Sequence, residues 1–251
     1  MEGLTKNRLN GFVKLLKLHR GETTTAYDEV APVYDSFVRV WDDHIAAPAM
    51  AYYNALITHY IKPGALVLDA GAGTGERTLA ILAHSQPAKV VALDASVRML
   101  EVARNKIQDS RVEFKQGDLK HLPFEDNTFD LVSCSWVIEI MDDPRAAVQE
   151  LLRVIKPEGI VLYAFCSLPE GVIGDVLKHI LDKVVSKTNP LTHLLTQDER
   201  PFHHCVHSSL KQFGGGLTTV ATVAKCCPIT LEALPCHPEL LSPAISSGSN
   251  Q

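Results

Sequence analysis

A glycine-dense turn after a short apolar run is the feature that most constrains this chain. Residues 67–75 read Val-Leu-Asp-Ala-Gly-Ala-Gly-Thr-Gly, which predicts a buried strand that ends in a tight turn. A helix is predicted directly afterwards, over residues 76–84. The three glycines remove side chains that would hold a ligand away from the main chain. The turn can therefore present amide N–H groups to an anion at the head of that helix.

Two acidic residues follow at the ends of later apolar runs. Asp94 closes the run 90–93 and lies roughly 20 residues past the turn, where a carboxylate can accept both hydroxyls of a ribose. Asp118 follows the run 112–114 at the next strand end. In an open parallel sheet, ligands bind beyond the carboxyl ends of the strands. We therefore expect Asp69, Asp94 and Asp118 to converge on one nucleoside.

Apolar runs and helical segments alternate from residue 65 to residue 166, which predicts an α/β fold with a mostly parallel sheet. Ser96 and the Asp143-Pro144 pair are typical helix starts, and residues 157–159 predict a turn. Two β-rich runs follow, at 217–224 and 229–234. The predicted strands are 65–69, 89–93, 111–115, 129–134 and 160–166, and the predicted helices are 76–84, 96–107 and 144–155.

Length and charge exclude several classes of protein. A chain of 251 residues with 46% hydrophobic content suffices for one α/β domain with a core. The formal net charge of −5 gives no sign of a nucleic-acid partner. No apolar run reaches the roughly 18 residues of a membrane span. Lysines interrupt the apolar N-terminus where a signal peptide would lie. Two of the six cysteines fall in predicted core strands. We therefore expect a cytoplasmic protein with reduced thiols.

The segment before the glycine turn is predicted to be helical. Residues 1–20 are basic and form either a covering helix or a helix on an anionic membrane surface. Tyr27 and Tyr34 lie two helical turns apart, and Pro32 between them predicts a break between two short helices. We expect both tyrosines to line the mouth of the site. The predicted division is an N-terminal helical lid (1–60), a domain (61–235) with a substrate-side insertion at about 167–212, and a flexible tail (236–251).

These residues resemble the class I S-adenosylmethionine-dependent methyltransferases, in the group that includes the ubiquinone and menaquinone C-methyltransferases. The segments that carry the resemblance are VLDAGAGTG, the ALD that ends at Asp94, GDLKHLPFEDNTFDLV at 117–132 and RVIKPEGIVLY at 153–163. The YDEVAPVYD segment is similar to the N-terminal lid of that family. The resemblance implies a Rossmann-like fold with a seven-stranded, mostly parallel sheet, helices on both faces and a C-terminal antiparallel strand.

The resemblance also implies S-adenosylmethionine as cofactor and methyl transfer to a small acceptor that is apolar or amphipathic. Asp69 would meet the methionine ammonium, directly or through water. Asp94 would bind the ribose, and Asp118 with the Leu119 amide would bind the adenine. Ser135 would face the methionine moiety, and Met99 would flank the adenine ring. The predicted cofactor-binding set is Tyr27, Tyr34, Asp69, Gly71, Gly73, Gly75, Asp94, Ala95, Met99, Asp118, Leu119 and Ser135.

Catalytic residues are left open. A base is needed only if the acceptor must lose a proton, and His203, His204 and His207 are the candidates, in a segment that we expect to be a polar loop. A zinc site formed with Cys205 and Cys226 or Cys227 matches no structural zinc spacing, so no metal is expected. The alternatives are a Rossmann-type nicotinamide oxidoreductase, disfavoured because the third glycine comes one residue early, and a non-catalytic S-adenosylmethionine-binding protein. The acceptor and the oligomeric state stay open.

Overall fold

The computed structural model describes residues 23–167, 172 and 206–225. Helices surround one sheet, and short 3₁₀ turns at Ile138–Ile140 and Gly214–Gly216 follow β4 and β6. The helices are α1 (Thr23–Trp41), α2 (Ala47–Tyr60), α3 (Glu76–His84), α4 (Val97–Lys106) and α5 (Pro144–Val154), with a π-helical stretch at Asp42–Ala46 between α1 and α2. The strands are β1 (Leu66–Ala70), β2 (Lys89–Asp94), β3 (Val112–Gln116), β4 (Phe129–Ser135), β5 (Ile155–Cys166), β6 (Val206–Phe213) and β7 (Thr218–Lys225).

The strands form a seven-stranded sheet in the order β3-β2-β1-β4-β5-β7-β6. β1 pairs in parallel with β2 and β4, and the outer neighbours β3 and β5 continue this direction. β7 runs antiparallel to both β5 and β6. This arrangement confirms the predicted Rossmann-like fold. The strand order reverses between β1 and β4, so the carboxyl ends of these two strands are where an open sheet of this kind binds ligands.

β1 is buried because both faces of the sheet are covered by helices. Leu68 packs on one face in the same cluster as Val148 of α5. Val67 packs on the other face with Ile57 of α2 and Ile81 of α3. Alternate side chains of a strand point to opposite faces, so a strand covered on both sides has a near-continuous apolar sequence. This is why the run that precedes the glycine turn is apolar throughout.

The helix starts follow the predicted capping residues. Ser96 Oγ accepts a hydrogen bond from the Met99 amide at 3.0 Å at the start of α4. Asp143 accepts from the Ala146 amide, also at 3.0 Å, and Pro144 is the first residue of α5. These caps set the direction in which α4 and α5 leave the sheet.

The predicted break at Pro32 is wrong. α1 is one helix of 19 residues with Pro32 inside it. Val30 and Ala31 are buried against Met99 of α4, and Asp35 forms an ion pair with Lys106. Contacts on both sides of the proline therefore outweigh the roughly 3 kcal/mol that an interior proline costs a helix.

The turn predicted at residues 157–159 is also wrong, because these residues lie inside β5. The pairing with β4 moves from Phe129 opposite Ile155 to Leu131 opposite Ile160. The extra residues of β5 form a bulge, which places Gly159 against the main chain of Asp130. The proline and glycine therefore mark an irregular strand rather than its beginning.

β6 was not predicted, because residues 206–212 were assigned to the insertion and a polar loop. Its residues alternate poorly, and β6 lies at an edge of the sheet, where a polar sequence is common. The helix at 1–20, the strand at 229–234, the tail and most of the insertion lie outside the described residues, so the domain boundaries stay predictions. None of the described helices has the length and hydrophobicity needed to cross a bilayer.

Candidate active site

A cavity of about 510 Å³ lies at the carboxyl ends of β1, β2 and β4, beneath α1. Residues 71–74 of the glycine turn form its floor, and the N-terminus of α4 forms one side. Its lining includes most of the predicted cofactor-binding residues. These are Tyr27, Tyr34, Gly71, Gly73, Asp94, Ala95, Met99, Asp118, Leu119 and Ser135.

The glycines of the turn serve different purposes. Gly71, Gly73 and Gly75 all have positive φ, at 75°, 54° and 87°, a region that favours glycine. A Cβ on Gly71 would collide with Val137, and a Cβ on Gly75 would lie 2.7 Å from Ile107 Cδ1. A Cβ on Gly73 would meet nothing within 4 Å. Gly73 therefore leaves open space for a ligand, whereas Gly75 does not line the cavity and packs against α4.

The turn does not offer its amides as predicted. The amides of Gly71 and Ala72 donate to the Leu93 carbonyl at 2.8 and 2.9 Å, and the amide of Gly75 donates to the Ala72 carbonyl. The Gly73 amide donates to Asp94 at 2.8 Å. Left-handed glycines turn these N–H groups inward. The expectation that the turn meets an anion through them is therefore wrong for these four amides.

Asp94 organises the wall between the turn and α4. Its two carboxylate oxygens accept from the Gly73 amide and the Ser96 amide, each at 2.8 Å. Burial raises the pKa of Asp94, and these backbone donors partly oppose the rise. Each carboxylate oxygen has a second lone pair. Asp94 can therefore accept hydroxyl hydrogen bonds from a ligand while it holds the turn in place.

The far end of the cavity is shaped by Asp118, Leu119 and Met99. Met99 is 1% exposed and Leu119 is 4% exposed, so both offer an apolar surface. Asp118 Oδ1 accepts from the Lys120 amide at 2.9 Å, which keeps this carboxylate at the strand end. A flat ring fits between such apolar side chains, with a carboxylate at its edge for an amino group.

α1 is fastened over the cavity at two points. Asp28 accepts from Ser96 Oγ at 2.5 Å. Asp35 accepts from Thr74 Oγ1 at 2.5 Å and forms an ion pair with Lys106 at 2.6 Å. The two tyrosine rings predicted to share a helix face are edge to face, with centroids 5.7 Å apart. α1 therefore closes the cavity with an aromatic surface.

Asp69 does not line the cavity, unlike the other two strand-end acids. It is 1% exposed, and its oxygens accept from Thr78 Oγ1 at 2.6 Å and Ser133 Oγ at 3.3 Å. Burial raises the pKa of Asp69 to about 6, against the lowering effects of Thr78 and of the nearby Arg77. Asp69 thus braces β1 against β4 from behind the cavity, and this arrangement provides no direct contact with a ligand ammonium.

Several residues that line the cavity were not predicted from the sequence, among them Trp136 and Arg77. Trp136 lines the cavity at φ 61°, and its indole Nε1 is buried without a hydrogen-bond partner among the described residues. Glu139 does not line the cavity but precedes the lining residue Ile140. It is 3% exposed, and burial raises its pKa to about 7. Arg77 also lines the cavity. A tryptophan, a glutamate or an arginine in an apolar segment gives no sequence signal of its own.

The predicted base candidates are not tested by the geometry. His203 and His204 lie outside the described residues, and His207 belongs to β6, with a side chain that is not described. Among the described residues, no group of three or more His, Cys, Asp or Glu is arranged to hold a metal ion.

The sheet order and the glycine turn are typical of a class I methyltransferase domain, and the family profile described as methyltransferase domain matches residues 68–163. The demethylmenaquinone methyltransferase of Lactiplantibacillus plantarum is 33% identical, over 63% of this chain and 69% of that protein. The chain therefore belongs to the ubiquinone and menaquinone methyltransferase family of class I S-adenosylmethionine-dependent methyltransferases.

Other relatives match over less of their own length. The demethylmenaquinone methyltransferase of Clavibacter sepedonicus is 36% identical over 61% of this chain and 62% of that protein. The mitochondrial 2-methoxy-6-polyprenyl-1,4-benzoquinol methylase of Caenorhabditis elegans is 31% identical over 69% of this chain and 58% of that protein. The chain thus spans about three-fifths of the length of these two relatives.

Solved structures share the fold. One is a chain from a complex of the Haloferax volcanii Trm112 methyltransferase activator with a protein classed as a methyltransferase. It has a TM-score of 0.61 at 18% identity and covers 80% of this chain and 98% of that chain. A Methanococcus maripaludis protein described as an S-adenosyl-L-methionine-dependent methyltransferase has a TM-score of 0.54 at 20% identity and covers 80% and 94%.

Proposed function

We propose that this protein transfers a methyl group from S-adenosylmethionine to a small, apolar or amphipathic acceptor of the quinol type. The observation that carries the proposal is the convergence of Asp94, the glycine turn and the two tyrosines of α1 on one cavity at the switch point of the sheet. The quinol class is supported by the names of the relatives from Clavibacter and Caenorhabditis.

The residues of the cavity fit the cofactor. Asp94 has lone pairs free for the two ribose hydroxyls, and Gly73 leaves open space beside the main chain. Asp118 and Leu119 offer a carboxylate and an amide for the adenine, with Met99 against the ring. Tyr27 and Tyr34 cover the opposite side.

The chemistry divides between the cofactor and the protein. S-adenosylmethionine supplies a sulfonium methyl group, which is already activated for attack by a nucleophile. The chain must hold the acceptor in line with that methyl group and keep water out. α1, fastened by Asp28 and Asp35, covers the cavity. Trp136, Ile140 and Met141 add apolar surface beside Ser135, where an aromatic acceptor can lie.

Binding tests the cofactor assignment. We expect S-adenosylhomocysteine to bind in isothermal titration calorimetry at 1:1 stoichiometry, and NADH not to bind. Binding of NADH with no binding of S-adenosylhomocysteine would refute the proposal in favour of an oxidoreductase.

Turnover tests the acceptor class. A short-chain demethylmenaquinone, reduced with dithionite, should gain 14 mass units in the presence of S-adenosylmethionine, because a methyl group replaces a hydrogen. The oxidised quinone is the matched control, since its ring is not a nucleophile. Cofactor binding without methyl transfer to any quinol or phenol would refute the enzymatic assignment and leave a cofactor-binding protein.

A further inference from the structure

Arg77 carries a buried charge with no ion-pair partner in the part of the chain that the structure describes. It is the second residue of α3, is 9% exposed and lines the cavity. Among the described residues, its hydrogen-bond partners are neutral: Nη1 donates to Asn54 Oδ1 and Nη2 to Met50 Sδ, each at 2.8 Å. Its Nε is buried and has no partner there. The guanidinium also lies 5.1 Å from the centroid of the Tyr53 ring.

Such an arrangement is costly unless a ligand completes it. A thioether sulfur is a weak acceptor, and a buried charged donor without a partner destabilises the folded protein. Arg77 acts electrostatically on the buried Asp69, whose pKa it helps to lower. The oxygens of Asp69 accept instead from Thr78 and Ser133. The guanidinium is therefore left with unused N–H groups in a residue that lines the cavity.

Four amides of the glycine turn beside Arg77 are not free to bind an anion. The amides of Gly71, Ala72, Gly73 and Gly75 are all occupied by Leu93, Asp94 and Ala72 within the protein. A carboxylate that enters this end of the cavity therefore cannot use these four amides. Arg77 is the cation that lines the cavity at the turn, and a guanidinium matches a carboxylate with two parallel hydrogen bonds.

We propose that Arg77 is the anchor for the carboxylate of the amino-acid end of the methyl donor, which sets the cavity's preference for a nucleoside that carries this tail. The inference rests on the proposed function. The ribose and adenine lie with Asp94 and Asp118, so a tail extending from them over the turn runs toward α3. The first turn of α3 adds to the attraction, because a helix N-terminus favours negative charge.

The test compares ligands with and without the carboxylate. The ligands are S-adenosylhomocysteine, its decarboxylated analogue, which keeps the amine, and methylthioadenosine, which lacks both groups. Binding is measured by isothermal titration calorimetry for the wild-type protein, Arg77→Met and Arg77→Lys. Methionine keeps an unbranched side chain at this position but removes the charge and the N–H donors.

We expect Arg77→Met to bind S-adenosylhomocysteine about 10- to 100-fold more weakly, the range for a charged hydrogen bond. Its affinity for the other two ligands should stay within about twofold of wild type, which also shows that the variant is folded. Arg77→Lys keeps the charge without the fork and should recover part of the loss.

Three results would overturn the inference. One is unchanged affinity of Arg77→Met for S-adenosylhomocysteine, and another is an equal loss for all three ligands. The third is an equal loss for S-adenosylhomocysteine and the decarboxylated analogue, which would assign Arg77 to the amine side. In each of these three cases, binding of S-adenosylhomocysteine to the wild-type protein would still support the proposed function. Failure of the wild-type protein to bind any of the three ligands would refute the proposed function and the inference together.

Discussion

Replacing Asp69 with asparagine tests how strongly burial raises the pKa of this carboxyl, which links β1 to β4. Asparagine has nearly the same shape, and its amide oxygen can still accept from Thr78 Oγ1. Its amide nitrogen can donate to Ser133 Oγ, which then donates its own hydrogen to Tyr53 Oη, 3.0 Å away. The variant therefore loses the charge without leaving an unpartnered group.

The expected effect follows from the pKa of the carboxyl. Burial raises it from 3.8 to about 6, and at about 1.4 kcal/mol per pKa unit the separation is worth about 3 kcal/mol. A raised carboxyl pKa favours the neutral form in the folded protein. The stabilising contribution of the neutral Asp69 carboxyl is complete below pH 3.8 and is lost as the pH rises through about 6. Relative to Asp69→Asn, the wild-type protein should therefore lose about 3 kcal/mol between about pH 3.5 and about pH 8.

Urea unfolding of the ligand-free proteins, followed by circular dichroism across this pH range, measures the difference in free energy of unfolding. Asp130→Asn is the control. Burial acts to raise the pKa of Asp130, but Lys156 and the Leu66 amide lower it overall. The free energy of unfolding of the wild type should therefore increase relative to that of Asp130→Asn as the pH rises through 3.8. The reasoning would be refuted if the difference in free energy of unfolding between the wild type and Asp69→Asn stayed constant with pH. It would also be refuted if the wild type became more stable relative to Asp69→Asn as the pH rises, as is expected for the Asp130 pair.

Three further predictions concern the cavity. Asp94→Ala should weaken S-adenosylhomocysteine binding in calorimetry by about 1–3 kcal/mol, because the ribose acceptor is lost; unchanged affinity would place the ribose elsewhere. Gly73→Ala and Gly64→Ala, both at positive φ with nothing near the new Cβ, should lower Tm similarly; only Gly73→Ala should weaken binding, and equal affinities would mean that Gly73 faces no ligand. Glu139→Gln should remove a loss of about 3 kcal/mol that wild type shows in urea unfolding as the pH rises from 4.5 through about 7; parallel pH curves would contradict a desolvated Glu139.

The sequence predicted the central part of the fold because its signals are local and repeated. The strands and helices from β1 to β5 combine apolar periodicity with caps such as Ser96 and Asp143, and each level of pattern agrees with the next. Pro32 and residues 157–159 misled the prediction because tertiary contacts override a local breaker. β6 is an edge strand, whose pairing depends on β7 rather than on its own composition.

The residues of the site also fall into those that the sequence predicted and those that it did not. The positions of Asp94 and Asp118 were predictable because Asp94 is the last residue of β2 and Asp118 lies two residues after β3, so the topology brings both to one edge of the sheet. The direction in which a side chain or an amide points is set by backbone torsions and by neighbours distant in sequence. Asp69 turns toward Thr78 and Ser133, the latter 64 residues away. Arg77 and Trp136 enter the cavity through packing contacts that no spacing rule contains.

The inward amides of the glycine turn determine how this cavity must recognise a charged ligand. Positive φ at Gly71 and Gly73 lets the chain bend sharply, but the bend consumes N–H groups in bonds to Leu93 and Asp94. The same Asp94 carboxylate that we propose as the acceptor for the ribose hydroxyls also holds Gly73 and the start of α4. Binding and local structure are therefore coupled through one side chain. The negative end of a ligand cannot be met by these amides, which is why we propose Arg77, a cation that lines the cavity, as its partner.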